Sequence, residues 1–406
     1  MPPRKTPFYK RLRLSSLISS PICSLAQKLL RKAEASERCR SSAVSSLNGL
    51  LDLHTELWQG LTDIPGPGYA ELGRTQAPSA ACMRSDAVII TARFRTGSTM
   101  LWNLFRNVQG CTAYYEPMSP SRYFDPANRV ERVDPTHHGV QEYWAEYEGL
   151  SELARLYRVD WHHRNLLMGP DSWNPDLKRF IEVMIEKAKG RPVLQCNRID
   201  FRLPWVRRHF PKARLIHLYR HPRDQWCSTV QDNQSRSKAR MTGQATRPER
   251  FDFGKDSTWQ QFAEHDYYYL TIWGNDLRHH FPFLDQQRLR HPYQLFYFIW
   301  KLSYLFGRKY ADYSVEYEAL LANPEPQLRQ LMGAAGVLEF DLAQLRSLLS
   351  APALGKWMSY ADDAWFREHE EYCETVLDDF LGSPPAIRDE RQRTAAKPSN
   401  GQLVGR

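Results

Sequence analysis

Arg95-Thr96-Gly97-Ser98-Thr99 is the cluster in this 406-residue chain best suited to hold an oxyanion. Arginine supplies a permanent forked cation, glycine permits close approach to the backbone, and Ser98 and Thr99 add hydroxyl donors. The cluster follows the β-branched run Ala87-Val88-Ile89-Ile90-Thr91 and precedes helix spacing at Met100, Leu101, Leu104, Phe105 and Val108. A strand that turns sharply into a helix presents unpaired N–H groups and a positive dipole end at the sheet's carboxyl edge. The nucleoside-triphosphate loop Gly-x-x-x-x-Gly-Lys-Ser/Thr is the obvious comparison, but here Ser98 stands in the lysine's place and the first glycine is missing. Taken alone, the five residues fit a phosphate grip and also a capped helix start.

A second candidate lies further along. Arg214-Leu215-Ile216-His217-Leu218-Tyr219 has strand character and runs into Arg220-His221-Pro222-Arg223-Asp224, where proline suits a first helical turn. Ser228 follows Arg220 by eight positions, two turns into that helix. Both side chains are placed to reach one anion near the same sheet edge. Two separated anion sites fit a nucleotide phosphorylated at both ends of its ribose, which ATP is not.

With these residues in view, the sequence resembles the sulfotransferases that use 3′-phosphoadenosine 5′-phosphosulfate (PAPS). That family carries a strand-loop-helix for the 5′-phosphosulfate, similar to Thr91 through Thr99. Its second motif is an Arg at a strand end, then Pro-Arg-Asp and a Ser eight positions on, gripping the 3′-phosphate; Arg220 and Ser228 match it. Phe210 to Arg214, Val315 to Leu320 with Asn323-Pro324, and Gly355-Lys356-Trp357 also look like family stretches. The resemblance spans about Ala87 to Trp357 and implies sulfuryl transfer without a metal. Arg95, Thr96, Gly97, Ser98 and Thr99 would hold the 5′ end, with Arg95 stabilising the departing phosphate, and Lys356 would close over the nucleotide.

An acceptor hydroxyl needs a base to take its proton. Glu116, in Tyr114-Tyr115-Glu116-Pro117 after the second expected strand, is the candidate, and carbohydrate-acting members place a Glu near that strand. A surface carboxylate paired with an arginine is the plain alternative. His217, in mid-strand, reads as a core residue. Small-phenol members carry Lys and His after the third strand, where this chain has Cys196-Asn197-Arg198. Asn197 and Arg198 are instead available to orient acceptor or sulfate. The expected reaction is sulfation of a hydroxyl on a small molecule or glycan, with a carbohydrate or glycolipid acceptor favoured. Trp161, Trp173, Trp205 and Trp259 are candidates for stacking on sugar faces. The rival classes are a nucleotide kinase with a divergent loop and a non-catalytic nucleotide-binding module.

Positioning these groups calls for a sheet. Strands are expected at Ala87 to Thr91, Thr112 to Tyr115, Pro192 to Gln195, Arg214 to Tyr219 and Tyr313 to Tyr317, alternating with helical or loop sequence. The alternation predicts a P-loop-like three-layer α/β/α fold with a mostly parallel central sheet. Helical sequence is expected over Ser257 to Phe281 and His291 to Tyr310, and Gln231 to Lys255 reads as a lid-like loop. Residues 1–80 read as a basic, partly helical N-terminal appendage, 81–382 as the sulfotransferase-like α/β domain, and 383–406 as a disordered tail.

Composition agrees with a folded core: 42% of residues are hydrophobic and 12% aromatic. The net charge of +9 is concentrated at the N-terminus, where the first 40 residues hold ten Lys/Arg against Glu34 and Glu37. That run reads as a solvated tail open to peripheral membrane contact, with no nucleic-acid partner expected. Seven cysteines stand singly without Cys-x-x-Cys spacing, so free thiols in the cytoplasm are expected. Adjacent histidines such as His137-His138 and His162-His163 point in different directions on regular elements, so no metal site is expected.

Overall fold

Val88–Ala92 forms strand β1, and all its residues are buried. A strand covered on both faces favours a continuous run of β-branched side chains over an alternating pattern. Four further strands, β2 (Cys111–Tyr115), β3 (Arg191–Cys196), β4 (Arg214–Tyr219) and β5 (Tyr313–Glu316), join it in the order β2-β3-β1-β4-β5. All four pairings are parallel, with Val88 opposite Val193 on one side and Arg214 on the other. The mostly parallel sheet expected from sequence is thus wholly parallel among the described residues, and each strand end falls within one residue of expectation.

These coordinates are a computed structural model of the chain, describing residues 87–129, 133–134, 137–231, 253–266, 268–349 and 354–382. They all fall in one compact unit, Leu51–Arg406. The N-terminal appendage, residues 232–252 of the lid expected over Gln231 to Lys255, and the tail from 383 lie outside the described residues. No described helix is long and apolar enough to cross a membrane.

Helices cover both faces of the sheet. On one, α1 (Ser98–Arg106) buries Leu101, Trp102, Leu104 and Phe105 against Val88, Ile90 and Ile216, with Leu328, Leu331 and Met332 of the helix Pro324–Ala335 alongside. Each such side chain removed from water is worth about 2 kcal/mol before entropy is charged. The Trp102 indole N–H donates to the Ala113 carbonyl at 2.7 Å, fixing α1 against β2. The opposite face is covered by Pro175–Lys187, Leu203–His209 and Pro292–Tyr310, whose aromatics pack with Ile89, Leu194 and Leu215.

One departure from expectation has a local cause. The helical stretch 257–281 is broken into Trp259–His265 and Leu270–Leu277. Asp266 accepts the Leu270 and Thr271 N–H groups at 2.9 and 2.7 Å, and Tyr269 turns left-handed at φ +60°, so a new helix starts there. The C-terminal helix, Asp363–Gly382, is amphipathic: it buries Phe366, Cys373, Leu377 and Phe380 together with Glu370, while Arg367, Glu368, Glu371, Asp378 and Asp379 face out.

Candidate active site

β1 ends at Ala92, and the chain turns through Arg95 at φ +64° and Gly97 at φ +93° before α1 begins. Thr96 closes the turn by donating its hydroxyl to the Arg93 carbonyl at 2.7 Å. Glycine is required at 97 for two reasons. The backbone is left-handed, and a Cβ there would lie 2.4 Å from Cε2 of Tyr317. The Tyr317 ring therefore packs against the bare backbone of the loop. Gln225 holds the other side by donating to the Phe94 carbonyl at 2.8 Å.

The helix after β4, Pro222–Gln231, brings the second cluster to the first. Arg220 Nη1 donates to the Arg95 carbonyl at 3.1 Å and to Ser228 Oγ at 3.3 Å. Its Cζ stands 4.8 Å from the Tyr317 ring centre, and its Nε lies 3.8 Å from Glu318 Oε1. Asp224 accepts the N–H groups of Gly355 at 2.9 Å and Trp357 at 3.4 Å, which brings the loop bearing Lys356 to this helix. Burial, with Asp224, pushes the nearby Cys227 thiol up to about 12 although Lys356 and Arg220 pull against it. Arg223 is fully buried, forked onto Glu370 at 2.9 and 2.8 Å and bonded to Asp363 at 2.7 Å, so the C-terminal helix is locked to the same motif.

β3 lies between β2 and β1, and its end carries Asn197 and Arg198 into the gap. Glu116, itself left-handed at φ +40°, accepts from Asn197 Nδ2 at 2.6 Å and from Arg198 Nη1 at 3.0 Å. Asn197 in turn accepts a short bond from Gln195. Arg198 also lies over the Phe94 ring, 4.7 Å from its centre, so the Glu116 group reaches the turn after β1 through one residue. Each carboxylate oxygen keeps a second lone pair, which leaves Glu116 able to accept a substrate proton as well as to serve as an ion-pair partner.

Residues 87–270 match the family model described as "Sulfotransferase family". This stretch is similar to the sulfotransferases. No curated protein sequence matches the chain. Among solved structures, a sulfotransferase of Mycobacterium tuberculosis is 16% identical with a TM-score of 0.34, over 77% of this chain and 81% of its own. One from Mycobacterium avium is 13% identical with a TM-score of 0.37, over 92% and 94%. The sulfotransferase domain of a Synechococcus olefin synthase is 16% identical with a TM-score of 0.27, over 80% and 99%. Superpositions this loose carry no weight beside the family match.

Around this site, the structure adds several neighbours that the sequence does not single out. Glu318 and Tyr317 lie in the stretch Val315 to Leu320 that carried the family resemblance, yet only packing reveals Tyr317 between Gly97 and Arg220. Burial raises the Glu318 carboxyl above its usual range, with the His221 N–H and Arg220 opposing. Arg93 sits over Trp273 at 4.1 Å and reaches Asp200 at 3.4 Å, stiffening the entrance to the loop. The Thr99 hydroxyl engages Tyr115 at 2.8 Å and His137 at 3.2 Å. His137 belongs to a pair considered above only for metal binding. Of the four tryptophans proposed for sugar stacking, Trp161 and Trp205 are core residues and Trp259 donates to the Leu289 carbonyl, leaving Trp173 exposed. His217 is a core residue, as its mid-strand position implied. Burial pushes it down to about 3, and its Nδ1 lies 3.2 Å from Ser314 Oγ.

Proposed function

We propose that the protein transfers a sulfuryl group from PAPS to an acceptor hydroxyl on a carbohydrate or glycolipid. The observation that carries this reading is the Arg220 guanidinium, which touches both the Arg95 turn and Ser228 and so joins two anion-binding motifs into one site. The residues fit a doubly phosphorylated nucleotide: Arg220 Nε is buried with no hydrogen-bond partner among the described residues, and the turn at Gly97 leads straight into the N-terminus of α1, which has no side-chain cap.

When bound, PAPS supplies a sulfuryl group already activated on a phosphate. The protein's part is then placement and charge. Arg95, the first N–H groups of α1, Ser98 and Thr99 meet the charge that grows on the 5′-phosphate. Arg220, Ser228 and Lys356 hold the 3′ end. Glu116 takes the acceptor's proton as its oxygen bonds to sulfur, and Asn197 and Arg198 keep the carboxylate aimed. Glu116 at the end of β2 supports a sugar-type acceptor. The free cysteines Cys111, Cys196, Cys227 and Cys373 support a cytoplasmic setting.

The test is titration calorimetry with 3′-phosphoadenosine 5′-phosphate against ADP, followed by sulfate transfer from PAPS to a panel of sugars. Tighter binding of the 3′-phosphorylated nucleotide is expected. Equal affinity for the two would remove the paired-site reading and favour a kinase-like nucleotide preference.

A further inference from the structure

We infer that His137 is a positioning residue which orients the Thr99 hydroxyl as a hydrogen-bond donor toward the 5′-phosphate of the bound nucleotide. This rests on the sulfotransferase reading above and adds a residue to its phosphate site. The geometry is a chain of four groups. The Asp134 N–H donates to the Tyr143 hydroxyl at 3.1 Å, that hydroxyl lies 2.5 Å from His137 Nδ1, and His137 Nε2 lies 3.2 Å from Thr99 Oγ1. Tyr115 completes the group, with its hydroxyl 2.8 Å from the same Thr99 oxygen.

Chemistry sets the direction of the chain. A phenol gives up its proton more readily than a neutral imidazole N–H, and an imidazole nitrogen accepts more strongly than a phenol oxygen. Tyr143 therefore donates to Nδ1. Burial first, then the Arg95 charge and His138, push His137 down to about 4, so near neutrality the ring carries one proton. With Nδ1 accepting, that proton sits on Nε2 and is donated to Thr99. Tyr115 is held neutral, its phenol pushed well above its usual range by burial and by Glu116, and as the stronger acid of the two hydroxyls it also donates to Thr99. Both lone pairs of the threonine oxygen are then filled. Its own proton is left to point outward at the start of α1, where an anion is expected.

The stacked rings of Tyr115 and Tyr143, 4.6 Å apart, hold the two phenols that set this polarity. A threonine free to rotate would spend part of its time accepting from solvent. The relay commits it in advance, which is the preorganisation a phosphate site needs.

The experiment measures the affinity ratio of adenosine 3′,5′-bisphosphate to adenosine 3′-monophosphate, which isolates the 5′ site. Thr99→Ala and His137→Ala are each expected to lower the ratio about tenfold, the worth of one hydrogen bond to a charged group. The double variant should lower it no further, because His137 acts through Thr99. His137→Gln, whose amide N–H can replace Nε2–H, should restore most of the ratio. A wild-type ratio in a folded His137→Ala variant, or fully additive losses, would overturn the relay while leaving the sulfotransferase reading intact. If His137→Ala does not fold, Tyr143→Phe decides: it keeps the ring, removes the donor to Nδ1, and should still lower the ratio several-fold, whereas an unchanged ratio overturns the proposal. A wild-type protein with no preference for the bisphosphate would sink both readings together.

Discussion

Arg220 donates to the carbonyl oxygen of Arg95 at 3.1 Å, across 125 positions of sequence. One nitrogen of this side chain thereby ties the turn after β1 to Ser228 in the helix after β4. Arg220→Ala should lower affinity for 3′-phosphoadenosine 5′-phosphate about a hundredfold, since a buried charge-assisted contact and a loop support are lost together. ADP affinity should fall far less. Calorimetry on both nucleotides checks the difference.

Gly97→Ala should be poorly tolerated. The left-handed backbone and the Tyr317 ring 2.4 Å from the new Cβ oppose it together. A cost of about 3 kcal/mol is expected from strain and overpacking combined. Gly97→Ala with Tyr317→Ala should recover part of the stability, read by denaturant unfolding, because the steric part of the cost is removed.

Glu116→Gln should leave nucleotide affinity near wild type and cut turnover by two or more orders of magnitude, or about 3 kcal/mol in the barrier. The amide keeps the shape but cannot take a proton. Single-turnover sulfate transfer is the measurement, and an unchanged rate would confine Glu116 to pairing with Arg198.

Glu370→Gln should weaken folding by about 3 kcal/mol, because Arg223 is fully buried and would lose half of its fork. Asp224, next to Arg223, holds the Gly355 to Trp357 loop, so nucleotide binding should weaken as well. A variant that unfolds at the wild-type urea midpoint would show that Asp363 is a sufficient partner for Arg223.

Acid should destabilise the fold through its buried histidines. His217, pushed down to about 3 by burial and Arg308, stays neutral in the folded chain while the unfolded chain protonates near its ordinary value. Its contribution is complete above the unfolded value near 6.5 and is lost as pH falls toward the folded value. By pH 5 that loss is about 2 kcal/mol. His217→Gln should flatten the fall in melting temperature between pH 6.5 and 4, and an unaltered slope would assign the acid sensitivity to other groups.

The strands were legible because each is a short local run whose burial on both faces shows in its residues, as in Val88 to Thr91. The break at Asp266 and Tyr269 was not, since helical periodicity continues through it and only the carboxylate's capture of two N–H groups starts a new helix.

By itself, the sequence determined the five strands, the anion-ready turn after the first and the Arg-to-Ser spacing of the second motif. These depend on neighbours along the chain, where backbone geometry alone dictates what meets. The tertiary structure decided which distant groups share the site. The strand order places Asn197 and Arg198 between the turn after β1 and Glu116, and puts Tyr317 against Gly97. It also turned the Thr99 hydroxyl toward Tyr115 and His137, because the direction of a hydroxyl proton is set by partners that only folding brings within reach.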